Sequence, residues 1–359
     1  MMNGSMAGCF LSKLILFLVL FPQTDLAQTL EDSIPMNQIR VLASHNSYKV
    51  KPSKNTYSFV NRFSKFLSED NQPYQLNYGH LPISEQFENY NIRGLELDVY
   101  NDPKGGLYYK HPLNLFVKKQ KVKQSSDSLL RKPGFKLLHI PDIDYETHYQ
   151  TLEMALEEIG QWSLQNPSHA PIFVNIELKG SSLADEAPIL RIFGCKKAIP
   201  FDKRALQQMD SLFGSMLPTL FKASDFRMDY RSNQERISKA GWPQLYALRG
   251  KVFVIVQGNG LSLYPSEKAN AFKYSDPTDE NGVFVLVDNP LGNEKQIFEL
   301  SMNHMIRTRT DAGTIEARKN DYHRLLSAMK SGAQILSTDY YQQDPEIGKF
   351  CIPFYGFIK

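Results

Sequence analysis

Eight short apolar or β-branched runs recur along the chain, at residues 39–43, 94–100, 135–140, 172–178, 251–257, 283–288, 305–308 and 333–338. Between several of them lie polar loops and then apolar residues at helical spacing. Residues 152–162 put Leu152, Ala155, Leu156 and Ile159 on one helical face, and residues 314–330 do the same with Ala317, Leu325 and Met329. Alternating strand and helix predicts parallel pairing, and eight such units predict an α/β fold closed into a (β/α)8 TIM-type barrel. An open doubly wound sheet is the alternative, but no Gly-rich phosphate loop follows any run. Residues 48–91 and 101–133 exceed ordinary loop length, which places long insertions after strands 1 and 2. Loops at the C-terminal ends of barrel strands build active sites, so both insertions are expected to shape a cleft.

The composition, 42% hydrophobic and 22% charged, suits one large globular core. The net charge of +3 is dispersed, and its densest basic run, residues 118–123, reads as a solvated loop face. Zinc-finger spacing, RNA-binding aromatic motifs and basic heptad helices are missing, which argues against a nucleic-acid partner. Near the N-terminus Lys13 precedes an apolar stretch at residues 14–21, followed by Pro22 and the small Ala27, the pattern of an export signal. That stretch is far shorter than the roughly 20 residues that span a bilayer, so no transmembrane segment is expected. The expected organisation is a signal peptide at residues 1–27 and one barrel domain at 28–359, secreted or periplasmic. Cys195 and Cys351 would remain after processing, and sequence separation leaves their pairing open. Nothing in the sequence sets an oligomeric state.

The chemistry concentrates at strand ends. The first run leads into Ser44-His45-Asn46-Ser47-Tyr48, the second contains Glu96-Leu97-Asp98, and the fourth ends in Glu177-Leu178-Lys179. Strand residues two apart share a face, so Glu96 and Asp98 point one way while Leu95, Leu97 and Val99 point the other. Inward-facing carboxylates repel one another unless a cation lies among them, and an all-oxygen set without cysteine suits a hard ion such as calcium or magnesium. A Glu-x-Asp on a strand is commonly only a solvated face. Its conjunction with His45-Asn46 and Glu177 favours a site.

Splitting a phosphodiester benefits from one group that removes a proton and another that donates one. His45 is one candidate. Its partner is His139, at the end of the third run, or His111, soon after the Glu-x-Asp strand; continuity of strand, helix and the Glu177 strand favours His139. The remaining histidines, His80, His148, His169, His304 and His323, lack an acid-rich strand context and are expected to be structural or solvent-facing. Arg307 and Arg309 share a face on the seventh run and suit bidentate contact with phosphate, or equally an Arg–Asp pair within the rim.

Taken together, His45-Asn46-Ser47-Tyr48, Arg93-Gly94-Leu95-Glu96-Leu97-Asp98, Leu138-His139-Ile140-Pro141-Asp142-Ile143-Asp144, Ile176-Glu177-Leu178-Lys179, Arg307-Thr308-Arg309-Thr310-Asp311 and Ser337-Thr338-Asp339-Tyr340 resemble the calcium-dependent phosphatidylinositol-specific phospholipases C. The resemblance spans nearly the whole chain after residue 27. It implies a distorted (β/α)8 barrel and Ca2+ as cofactor, with Asn46, Glu96, Asp98 and Glu177 as ligands. It also implies His45 and His139 as catalytic residues, and a phospholipid substrate met transiently at a membrane surface. In that family the inositol 2-hydroxyl attacks phosphorus and releases diacylglycerol. Lys179, Arg307, Arg309 and Tyr340 are the residues expected to contact substrate. Shorter relatives carry their second histidine about where His111 stands here. Two other readings remain: a glycerophosphodiester phosphodiesterase, which typically opens on His-Arg-Gly where this chain has His45-Asn46-Ser47, and a non-catalytic lipid- or carbohydrate-binding barrel, which would be expected to have lost a histidine or a ligand.

Overall fold

The computed structural model describes residues 32–66, 72–112, 129–265, 269–353 and 357; the 1–27 segment and the basic run at 118–123 lie outside these. Among the described residues nine strands form one sheet: β1 (Val41–Ser44), β2 (Ile92–Asp102), β3 (Gly134–Leu137), β4 (Ile172–Leu178), β5 (Val252–Gly258), β6 (Phe272–Lys273), β7 (Phe284–Leu286), β8 (Met305–Arg309) and β9 (Ile335–Thr338). Eight run parallel in the order β6-β5-β4-β2-β1-β9-β8-β7. A parallel bridge between Tyr274 and Phe284 joins the two ends, with the Ser275 N–H donating to the Phe284 carbonyl at 3.0 Å. The fold is therefore a nearly closed eight-stranded TIM-like barrel.

Its strand list differs from the sequence expectation in one place. The run at 135–140 is not a barrel strand: β3 pairs antiparallel with the far end of β2, from Val99↔Leu137 to Asp102↔Gly134. At 11 residues β2 overshoots the rim, and the chain folds back on it as a hairpin. Hydrophobic pattern reports burial, not strand direction, so the run looked like a barrel member. The eighth barrel strand is instead Phe272–Lys273, whose two residues are too few to show a period of two.

Two apolar layers sandwich the sheet. Outward-facing Leu42, Leu95, Leu97, Val99, Val174, Ile176, Val254, Val256, Ile306 and Leu336 pack with the surrounding helices in the larger cluster. The helix Leu152–Gln165 contributes its predicted Leu152, Ala155, Leu156 and Ile159 there, and Thr151 caps its start by accepting the Met154 N–H. The expected helix at 314–330 is two helices, Ile315–Lys319 and His323–Lys330, parted where Asn320 turns left-handed at φ 51°. Inward-facing Val41, Ala43, Phe173, Phe253, Ile255, Phe272, Phe284, Met305 and Ile335 fill the barrel itself. Gly94 allows β1 and β2 to meet, because a Cβ there would lie 2.4 Å from the Ala43 Cβ.

Following the inward positions toward the strand C-termini, apolar residues give way to charged ones. On β4 the sequence is Phe173, Asn175, Glu177; on β8 it is Met305, Arg307, Arg309; on β9, Ile335, Ser337 and then Asp339. The strand period of two thus builds an aromatic floor and a polar mouth from the same strands. Cys195 and Cys351 are both free thiols.

Candidate active site

Register places the acids. Parallel pairing sets Glu96 beside Asn175 and Asp98 beside Glu177, with Gln257 next to Glu177 on the following strand. Carboxylate oxygens of Glu96, Asp98 and Glu177 consequently lie within 4.8 Å of one another. Lys179 bridges two of them, at 3.3 Å from Asp98 Oδ2 and 2.9 Å from Glu177 Oε1, and Arg307 pairs with Glu96. Gln257 Nε2 donates to the other Glu177 oxygen at 3.3 Å.

Crowding and burial show in the acidities. Burial, and then the charges of Glu177 and Asp98, push the Glu96 carboxyl up to about 8 against the pull of Arg307. Burial likewise pushes Asp98 up to about 6 despite Lys179. Glu177 goes the other way: burial opposes its charge, but Lys179 holds it below its ordinary value. A buried group of acids with raised acidities is one that a further cation would stabilise.

The donor set fits a hard cation on independent grounds. Asn46 is 1% exposed and Asp98 likewise, yet among the described residues Asn46 Oδ1 and Asp98 Oδ1 have no hydrogen-bond partner. Asn46 adopts a left-handed φ of 51°, and its amide Nδ2 donates to the Tyr78 hydroxyl at 2.8 Å, which fixes Oδ1 as the free atom. Buried acceptors are rarely left orphaned, and oxygen-only donors are what calcium takes. Formal charge agrees. Three carboxylates with Lys179 and Arg307 sum to −3 + 2 = −1; a divalent cation makes +1, which one phosphodiester anion neutralises.

Two histidines flank the acids, each held at Nδ1 by a buried aspartate. His45 Nδ1 donates to Asp339 Oδ1 at 2.8 Å, which leaves Nε2 facing Glu96 at 3.7 Å. Burial, then Arg309, push His45 down to about 3, although Asp339 pulls the other way. Arg309 also pairs with Asp339, at 2.9 Å, and both hold the Asp339 carboxyl well below its usual range against the cost of burial. His139 Nδ1 donates to Asp144 Oδ2 at 2.7 Å, and His139 is near enough to Asp98 to lower it electrostatically. Asp144 is fully buried and lies 3.3 Å from Lys49 Nζ, which, against the cost of burial, keeps its carboxyl ionised.

The other sequence candidates separate clearly. His111 is buried, donates from Nδ1 to the Pro141 carbonyl at 2.7 Å, and stacks on Tyr145 with ring centroids 3.7 Å apart. Arg307 and Arg309 realise the rim-pair alternative, on Glu96 and Asp339. Tyr340 is 3% exposed and packs edge-on to Phe350, so it has no surface for a substrate, contrary to expectation; it follows Asp339, and alternation turns it outward into the helix layer. His80, His169 and His304 are buried and bonded to main-chain carbonyls of His45, Ala170 and Leu300. His148 bonds the His80 carbonyl, and His323 opens an exposed helix end.

Sequence reasoning assigned no role to Asp144, Asp339 or Lys49. Alternation along Ile335, Ser337 and Asp339 is the signal that could have turned Asp339 inward. Asp144 was less visible, since it reaches His139 only through a turn in which the Asp144 N–H donates to the Ile140 carbonyl. The preference for His139 rested on an unbroken strand–helix–strand unit; the hairpin removes that reason, and the turn is what brings His139 to the mouth.

The TIM-like barrel thus carries an oxygen-lined acid cluster and two Asp-held histidines at one mouth. Residues 34–358 match the family described as phosphoinositide phospholipase C, Ca2+-dependent, and the chain belongs to that family. Its fold is similar to the calcium-dependent phosphoinositol-specific phospholipase C of a Pseudomonas species, with TM-score 0.50 and 16% identity over 87% of this chain and 92% of that one. The Ca2+-dependent phosphatidylinositol-specific phospholipase C of Streptomyces antibioticus aligns with TM-score 0.47 and 13% identity, over 85% and 94% of the two chains. Among curated proteins no significant match was found.

Proposed function

We propose that this chain is an exported, Ca2+-dependent phosphodiesterase that cleaves phosphatidylinositol-type lipids to a cyclic inositol phosphate and diacylglycerol. The observation that carries the reading is the pair of histidines, each oriented by a buried aspartate, on either side of a carboxylate cluster with orphaned oxygens. When bound, calcium held by Asn46, Glu96, Asp98 and Glu177 supplies positive charge at the phosphoryl oxygens and acidifies a nearby hydroxyl.

The chain's own groups account for the proton transfers. His45 is neutral, and with Nδ1 committed to Asp339 its Nε2 is the acceptor for the inositol hydroxyl proton. That hydroxyl oxygen forms its bond to phosphorus as the bond from phosphorus to the glycerol oxygen breaks. His139, resting on an ionised Asp144, donates its Nε2 proton to the departing oxygen. Lys179 neutralises the acids at the mouth and offers charge to phosphate. Arg307 and Arg309 act from behind, fixing Glu96 and Asp339. Residues 1–27 act as the export signal, and sequencing the N-terminus of protein recovered outside the cytoplasm tests this.

A substrate panel tests the reaction: phosphatidylinositol, phosphatidylcholine and glycerophosphoinositol, with products followed by phosphorus NMR. Cyclic inositol phosphate from phosphatidylinositol supports the reading. Cleavage of glycerophosphoinositol alone would transfer the chain to the glycerophosphodiesterases.

A further inference from the structure

Twelve large hydrophobic side chains are substantially exposed among the described residues, and three of them fall in one six-residue 3-10 helix. That helix, Pro188–Phe193, exposes Ile189 at 63%, Ile192 at 76% and Phe193 at 52%, and buries none of its residues. Ile189 and Ile192, three apart, lie along one edge of a 3-10 helix, with Phe193 on the adjacent edge. Leu190 is half-buried, but a helix that holds three large apolar groups in water gains nothing from the fold for exposing them.

The segment is nonetheless firmly built. Asp185 Oδ2 accepts from the Ser182 N–H and hydroxyl at 3.1 and 2.9 Å and from the Ala198 N–H at 3.0 Å, clamping the two ends of the loop. Ser182 Oγ lies 2.7 Å from the Lys196 carbonyl, and Arg191 Nε donates to the Ala184 carbonyl at 3.3 Å. Its root adjoins the candidate site: the loop leaves β4 directly after Lys179, and the Tyr100 hydroxyl lies 3.2 Å from the His139 carbonyl and 3.4 Å from that of Ser181. Arg191, Lys196 and Lys197 are exposed around the apolar residues; of the two acids there, Asp185 is spent on the internal clamp and on Lys197, at 3.5 Å, and Glu186 is exposed.

We propose that Ile189, Ile192 and Phe193 dock this face on an anionic phospholipid surface, with Arg191, Lys196 and Lys197 at the headgroup level. Apolar side chains entering the acyl boundary beneath a cationic collar is the arrangement by which an interfacial element holds to such a surface. Docking there brings the mouth that contains His139 against the lipid headgroups. The inference rests on the proposed lipid substrate for its purpose but not for its test.

The test compares wild type with the triple variant Ile189→Ser/Ile192→Ser/Phe193→Ser and with Arg191→Gln/Lys196→Gln/Lys197→Gln. Binding is read by sedimentation with phosphatidylcholine vesicles with and without phosphatidylserine. Turnover is read separately on dihexanoyl phosphatidylinositol kept below micelle formation. The apolar variant is expected to lose about 100-fold in vesicle partitioning, the order for withdrawing three large side chains from the acyl boundary, with turnover of the dispersed substrate unchanged. The charge variant should lose about 5-fold per cation on phosphatidylserine vesicles and keep its binding to neutral ones. Circular dichroism confirms folding, which exposed positions should not disturb. Vesicle binding unaltered in the apolar variant, or no wild-type binding to vesicles of either composition, overturns the docking surface. Wild type that binds through these residues but cleaves no phosphatidylinositol leaves the docking surface standing and refutes the proposed substrate instead.

Discussion

Replacing Asp339 by asparagine probes the link between fold and chemistry most sharply. The carboxylate is fully buried and serves His45 Nδ1 at 2.8 Å and Arg309 Nη2 at 2.9 Å. Asp339→Asn keeps the shape of the side chain but removes its charge, so Arg309, whose Nε has no partner among the described residues, loses its ion pair. Breaking a buried ion pair from one side costs about 3–5 kcal/mol, which in a barrel of this size lowers Tm by roughly 10 °C. The sign with pH follows from the depressed acidity of Asp339. Its stabilisation is present above the unfolded carboxyl value near 4 and is lost as pH falls below that, so the variant's acid limb should be flatter than wild type. An amide also permits the wrong imidazole tautomer, and a loss of about 100- to 10,000-fold in kcat is expected. Denaturation at pH 7 and pH 3 with single-turnover kinetics measures all three. A variant with wild-type Tm and kcat within about 3-fold would refute the claim that Asp339 orients His45.

Three further outcomes follow. His139→Ala should lower kcat by at least about 100-fold, within the range for a general acid, whereas His111→Ala, which removes a stack on Tyr145 and a bond to the Pro141 carbonyl, should retain most turnover. Calcium affinity should rise between pH 6 and 8, because Glu96 and Asp98 titrate there in the free protein and must release protons to bind; calorimetry in two buffers would show proton release, and a flat profile would contradict the assigned ligands. Gly94→Ala should destabilise the barrel by about 1–3 kcal/mol through contact with Ala43, read by chemical denaturation.

The sequence carried the barrel because seven of its eight strands are long or apolar enough to register, and it carried the acid cluster because period-two alternation alone turns Glu96, Asp98 and Glu177 inward. It misplaced β3, since a strand that overshoots the rim and folds back is as hydrophobic as one that continues around it. It missed β6 because barrel closure needs only a few hydrogen bonds at that point. Asp144 and Lys49 were illegible for a different reason: both act as buried charges whose partners are set by turns and by contacts across the mouth, and neither leaves a periodic signature. The same holds for Arg307 and Arg309, whose rim pairing and phosphate readings are equal in sequence and separated only by where Glu96 and Asp339 lie.

The central claim is calcium-dependent cleavage of a phosphoinositide by the His45–Asp339 and His139–Asp144 pairs. Release of water-soluble inositol phosphate from phosphatidylinositol vesicles, measured with calcium and with chelator, tests it most directly. Release with calcium and none with chelator, restored on adding calcium back, is the expected result. Equal release under both conditions, or none under either from folded protein, would contradict it.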